Sequence, residues 1–241
     1  MIAWLEAGAS FPPVAAALEH PNGLLAASEN LSAEQLLEAY PLGIFPWYSD
    51  GDPVFWWSPN PRMVLFTAEF HASRSLRKTL RAVAADPAWE VSLDTDFEGV
   101  MRACAAPRRG QAGTWISEEI VTGYCELARR DLAHSVEIRR EGELIGGIYG
   151  VGLGQMFFGE SMFSRERNAS KIAISALVSI LSLERVPMLD CQQRTSHLAS
   201  LGAREITRRE FCAHVARSVR ESSVAWQSYR GVRLNRVLEA Y

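Results

Sequence analysis

The chain has 241 residues, 48% of them hydrophobic and 22% charged, which is the balance of an ordinary globular protein of one large domain or of a medium and a small one. A net charge of −3 gives no overall pull towards nucleic acid, so any such contact has to be a local patch. No apolar run approaches the ~20 residues that span a bilayer, and Met1 to Ser10 holds Glu6 without a basic n-region, which argues against a signal peptide.

In chain order, Ser32-Ala33-Glu34-Gln35 fits a capping box that opens a short helix through Tyr40. Residues 40 to 62 then interleave Tyr40, Phe45, Trp47, Tyr48, Phe55, Trp56 and Trp57 with five prolines. Repeated prolines argue against a helix or a central strand, so an irregular, aromatic-lined segment is expected, with most of its rings used as internal packing. These features make residues 1–62 a small N-terminal domain.

From Met63 to the end, residues 63–241, strands and helices alternate. Met63–Phe66 and Trp89–Leu93 read as strands around a helix in which Arg74, Arg77, Lys78 and Arg81 recur at i, i+3, i+4 and i+7. Such a stripe is either a phosphate-contacting face or a solvated one. Arg108 and Arg109, just before Trp115, are weaker candidates for phosphate contact. Ser117 caps a helix whose apolar face is Ile120, Val121, Tyr124, Leu127 and Ala128. A hairpin turning at Arg140-Glu141-Gly142-Glu143 and a third strand from Gln155 follow. An apolar helix at 170–183, a strand at 186–191, a short helix ending at Gly202 and a helix behind the Thr207/Glu210 capping box complete the chain. This order indicates an α+β fold with a mixed sheet.

The segment from Gln155 to Ala203 concentrates the chemistry. Glu160 and Asp190, with the amide Gln192, stand at the ends of apolar runs, where placing a carboxylate costs free energy. On a regular strand Asp190 and Gln192 share one face and Cys191 takes the other. Competing readings are weaker. Gly159-Glu160-Ser161 lacks the second glycine of a nucleophile elbow, and a triad of Ser161, His197 and Asp190 has no support beyond composition. His197, flanked by apolar residues, is expected to hydrogen-bond beneath the site rather than act as a base. The five histidines show no paired ligand spacing, and the four cysteines (Cys104, Cys125, Cys191, Cys212) show no CxxC pair; reduced structural thiols in the cytosol fit them best.

These residues resemble the leucyl/phenylalanyl-tRNA–protein transferases. The resemblance rests on Gly159-Glu160-Ser161-Met162-Phe163-Ser164-Arg165, Asp190-Cys191-Gln192 and Asn168-Ala169-Ser170-Lys171, with Ala39-Tyr40-Pro41-Leu42-Gly43-Ile44-Phe45-Pro46-Trp47-Tyr48, Trp56-Trp57-Ser58-Pro59, Pro61-Arg62 and Gly113-Thr114-Trp115-Ile116 further upstream. It covers roughly residues 22 to 210. It departs at Ala26–Leu31, which lacks the usual glycine-rich turn, and in the tail after Ser218.

The resemblance implies an acetyltransferase-like fold for the C-terminal domain. The loop Arg165-Glu166-Arg167-Asn168-Ala169-Ser170 lacks the glycines that cradle a coenzyme A pyrophosphate, so the acyl donor must be another carrier. The implied activity moves Leu or Phe (with Met as a further donor) from aminoacyl-tRNA to the N-terminal amine of proteins beginning with Arg or Lys, marking them for degradation by the N-end pathway. The implied catalytic residues are Asp190, Gln192 and Glu160. The donor would sit against Ile148, Phe157, Met162, Leu177 and Leu189, with Gly159 and Ser161 beside it and Trp47 and Trp115 as stacking platforms. Arg74, Arg77, Lys78 and Arg81 would contact the tRNA. No cofactor, metal or membrane is expected, and the protein is expected to be a cytoplasmic monomer. Two other readings remain open: an RNA-binding module without chemistry, and a transferase with a different donor or acceptor.

Overall fold

A computed structural model of the chain describes residues 2–6, 8–49, 51–106 and 116–241. The first sheet has the order β1 (Ala3–Leu5), β2 (Leu24–Ser28), β4 (Val54–Trp57), β3 (Phe45–Pro46). Strand β4 is therefore interior, contrary to the irregular segment expected from the prolines. The reason is positional: Pro53 and Pro59 fall just outside β4, and Pro46 lies in β3, an edge strand where a missing N–H is tolerated. The aromatics supply the core as expected. Trp56 is fully buried, donates its indole N–H to Ser28 Oγ at 2.9 Å and meets Phe11 edge-on at 4.8 Å. Helix α1 (Ala33–Ala39) has the reciprocal Ser32/Gln35 capping box.

The second sheet has seven strands in the order β11 (Arg204–Ile206), β5 (Arg62–Phe66), β10 (Met188–Gln192), β9 (Met156–Ser164), β8 (Glu143–Leu153), β7 (Ala133–Arg140), β6 (Trp89–Leu93). Only β9 and β10 run parallel, joined by helix α5 (Ala169–Leu183), so the sheet is mixed and the fold is α+β. Side chains alternate between two cores. On one face Val64, Tyr149 and Phe158 pack with the first sheet, α3 (Phe97–Ala105), α4 (Glu118–Arg129) and α7 (Arg208–Ser218). On the other, Met63, Ile148 and Phe157 pack with α2 (Arg74–Ala85), α5, α6 (Ser196–Ser200) and the tail residues Trp226, Leu234 and Leu238. Helix α5 is apolar on every side because it is buried on every side from Ile172 to Leu181. Helix α3, started by the Asp96 cap on Gly99 N–H, and the short strands β1 and β11 were not anticipated from the sequence.

Two bulges shape the sheet where it matters. Between β8 and β9 the register shifts so that Tyr149 and Gly150 oppose Ser161 and Gly159, leaving Glu160 as the extra residue. Between β10 and β5, Asp190 and Gln192 oppose the adjacent Val64 and Met63, leaving Cys191 extra and Gln192 at φ 60°. Bulges re-aim side chains, and here they aim an acid and an amide at one place. Gly150 makes the first bulge sterically possible: a Cβ there would lie 2.1 Å from the Phe158 carbonyl oxygen and 2.5 Å from the Phe157 ring. Gly150→Ala is expected to cost about 1–3 kcal/mol of stability by urea denaturation. Unchanged stability would show that the bulge relaxes freely.

Candidate active site

Bulged β9 sends Glu160 towards the first sheet. Its Oε1 accepts from the Tyr40 hydroxyl at 2.7 Å and from Gln192 Nε2 at 2.8 Å, and its Oε2 lies 3.1 Å from the Tyr124 hydroxyl. Tyr40 sits at the end of α1 and Tyr124 inside α4, and both are fully buried. Removal from water raises the Glu160 pKa to about 7; the tyrosine hydroxyls oppose that rise, the Asp190 charge adds to it and Arg62 counters it. Glu160 as a residue is half-buried, with its carboxyl oxygens held by the two tyrosine hydroxyls and by Gln192.

Asp190 is arranged differently. Its Oδ1 accepts from Arg62 Nε at 2.8 Å and from the Gln192 backbone N–H at 2.9 Å, and its Oδ2 accepts from Arg62 Nη2 at 2.6 Å. Both partners of this fork-to-fork ion pair are fully buried. The guanidinium lies 4.7 Å from the Phe45 ring centre and 4.5 Å from that of Phe211, and Nη1 donates to the Gly43 carbonyl at 3.3 Å. The expected regular face shared by Asp190 and Gln192 is thus corrected. They flank a bulge, with Asp190 gripped by arginine and Gln192 extended to Glu160. Cys191, the extra residue, has its thiol pKa pushed up by burial and so is a poor nucleophile.

Ile148, Phe157, Leu177 and Leu189 are all buried in the α5-side core, and Met162 packs against them half-buried. Gly159 and Ser161 are half-buried on either side of Glu160. Trp47 is 41% exposed, edge-on to Trp57 at 5.7 Å. Trp115, Arg108, Arg109, Gly113 and Thr114 lie outside the described residues. Arg74, Arg77, Lys78 and Arg81 do form one exposed face of α2, with Arg81 donating to the Tyr241 carbonyl at 3.0 Å. His197 departs from expectation. Its Nε2 is buried without a hydrogen-bond partner among the described residues, and burial together with nearby Lys171 lowers its pKa.

The Asp190 carboxylate gives its oxygens to Arg62 and Gln192, not to a histidine, which removes the triad reading. Among the described residues, one cluster, Asp94, Asp131 and His134, has metal-ligating spacing. Arg230 donates to Asp94 at 2.7 and 2.9 Å and to Asp131 at 2.5 Å, so a guanidinium supplies the positive charge there. At the start of α5 the Ser170 N–H is occupied by Ser164 Oγ at 3.2 Å, and Asn168 takes a left-handed conformation at φ 68°.

Sequence reasoning missed three participants. In the sequence Tyr40 and Tyr124 read as packing rings, and the visible hint is a hydroxyl among apolar neighbours. Arg62 stands out only as part of a motif, and its 128-residue separation from Asp190 hides the pairing.

Comparison with known proteins is consistent across the chain. Residues 64–216 match the model of the family described as leucyl/phenylalanyl-tRNA protein transferase, and residues 29–60 match that of its N-terminal domain. Proteins named leucyl/phenylalanyl-tRNA–protein transferase from Burkholderia ambifaria and Burkholderia multivorans are 58% and 57% identical over 231 residues, covering 94% of this chain and 91% of theirs. Among solved structures, a GCN5-related N-acetyltransferase-like protein from Streptococcus suis aligns at TM-score 0.33 and 16% identity, over 76% of this chain and 67% of that one. L-PGS from Bacillus licheniformis aligns at TM-score 0.36 and 11% identity, over 69% and 51%. Likenesses this distant carry no functional argument.

Proposed function

The chain belongs to the leucyl/phenylalanyl-tRNA–protein transferase family, a family of aminoacyltransferases, and from that premise we propose that it transfers Leu or Phe from aminoacyl-tRNA to the N-terminal amine of proteins beginning with Arg or Lys. On this reading the product carries a signal for degradation. The observation that carries the proposal is the Glu160–Gln192–Asp190–Arg62 arrangement, in which an amide and a carboxyl of raised pKa are held rigidly at one face of the sheet.

The chemistry asks little more. The aminoacyl ester is already activated, and an α-amine with pKa ~8 is substantially neutral near physiological pH. What remains is alignment, stabilisation of the developing oxyanion, and passage of a proton from the attacking amine to the leaving ribose oxygen. Gln192 does not titrate, so its part is to orient and to donate hydrogen bonds. Asp190, charged and clamped by Arg62, holds the Gln192 backbone in its left-handed turn. Glu160 is the group able to exchange a proton near neutral pH. The Leu or Phe side chain would enter between the sheet and α5, against Ile148, Phe157, Met162, Leu177 and Leu189, beside Gly159 and Ser161. Trp47 and Trp115 would stack the unpaired 3′ end. In this division of labour residues 1–62 roof the site and residues 63–241 carry most of the reacting groups.

The exposed face of α2 supports a contact with the tRNA body. Replacing Arg74, Arg77, Lys78 and Arg81 together is expected to weaken tRNA binding and to flatten its dependence on salt. Transfer from a minimal aminoacyl-adenosine donor should hardly change. Equal losses with both donors would make the helix structural. The proposal itself is tested with labelled Leu-tRNA or Phe-tRNA and a peptide beginning with Arg. Label should pass to the peptide and should stop passing when ribonuclease precedes mixing. Binding of tRNA without transfer would leave an RNA-binding module.

A further inference from the structure

The hydroxyls of Tyr40 and Tyr124 lie 2.5 Å apart, and each also contacts Glu160, at 2.7 Å and 3.1 Å. Three oxygen-to-oxygen contacts close a triangle, and each needs one proton. Two phenols supply only two. With Glu160 ionised, one edge would set two lone pairs against each other inside a buried site. With Glu160 protonated every edge is filled in a single sense: Glu160 Oε2–H donates to Tyr124, Tyr124 to Tyr40, and Tyr40 to Glu160 Oε1, which also receives Gln192 Nε2.

From this proton count we infer that Tyr40, Tyr124 and Glu160 form a closed ring that stores one proton in the resting enzyme and delivers it during transfer. Tyr40 and Tyr124 thereby become positioning residues, the first inside a motif and the second outside all of them. The inference deepens the aminoacyl-transfer reading and rests on it for its chemistry. The acceptor amine bonds to the ester carbonyl carbon, the bond from that carbon to the ribose oxygen breaks, and Glu160 gives its proton to that oxygen. The carboxylate left behind takes one proton from the attacking nitrogen, which restores the ring. Atoms and charge balance without a co-reactant.

Every group packed against Glu160 bears on the stored proton. Tyr40 comes from the end of α1, Tyr124 from α4 and Tyr149 from β8, while Asp190 of β10 and Arg62 of β5 form the neighbouring ion pair. Of the two charges, Asp190 favours retention and Arg62 opposes it. The Tyr149 hydroxyl is buried without a hydrogen-bond partner among the described residues, so it does not drain the ring.

Glu160→Gln is the diagnostic change. A glutamine amide can fill the same three edges but has no proton to release. Single-turnover transfer is expected to fall at least about 100-fold, with donor affinity within about twofold of the parent. The free enzyme, without any substrate, provides a second reading. Infrared difference spectra should contain a protonated-carboxyl stretch that fades as pH rises through about 7, that Glu160→Gln lacks and that Tyr124→Phe shifts. Near-normal turnover of Glu160→Gln overturns the inference, as does absence of that band below neutrality or its indifference to Tyr124→Phe. Because the spectrum needs no transfer reaction, a ring present in an enzyme that moves no aminoacyl group would count against the proposed function, not against the ring.

Discussion

Asp190→Ala is expected to cost about 3–5 kcal/mol of stability and to abolish transfer. It strands the fully buried Arg62 guanidinium between Phe45 and Phe211 without its carboxylate. The double variant Arg62→Met with Asp190→Leu separates the two losses. Two apolar side chains in that volume should recover most of the stability, since replacing a buried ion pair as a unit is often neutral. They should recover no activity, because nothing then accepts the Gln192 backbone N–H and holds that residue at φ 60°. Urea denaturation and single-turnover transfer on the same three proteins measure both. Transfer restored along with stability would show that the pair is scaffolding alone.

Gln192→Ala should give the opposite pattern, an intact fold and a slow enzyme. The residue is half-buried at the edge of the bulge, and among the described residues its side chain hydrogen-bonds to Glu160, at 2.8 Å, so little packing is lost. A fall of about two orders of magnitude in single-turnover rate, equivalent to about 2.7 kcal/mol of transition-state stabilisation, is expected with donor binding unchanged. Loss of donor affinity with an unaltered rate would place Gln192 in ground-state binding instead.

Much of the fold was legible because the signals were local. The Ser32, Ser117 and Thr207 caps, the hairpin at Arg140–Glu143 and the apolar run of α5 each speak for their own segment, and each element is present. The interior position of β4 was not legible. Proline counts argue against a strand only where the prolines occupy it, and here they sit at its ends. The site was legible in its residue types and hidden in its geometry. Glu160, Asp190 and Gln192 stood out as polar groups on apolar strands, but a one-residue bulge leaves no periodic trace, and two of them decide where those groups point. Arg62, Tyr40 and Tyr124 come from distant parts of the chain, and only the packing of the first sheet and α4 against the second brings them to the carboxylates.

On the proposed function this cluster forms a peptide bond between an aminoacyl-tRNA and a protein N-terminal amine. Mass spectrometry of the acceptor shows whether it does. A peptide beginning with Arg, incubated with the enzyme and Leu-tRNA, should gain a single leucine at its α-amine, and the same peptide acetylated at that amine should gain none. Leucine found on a side chain, or an acetylated peptide modified as readily as the free one, would contradict the account.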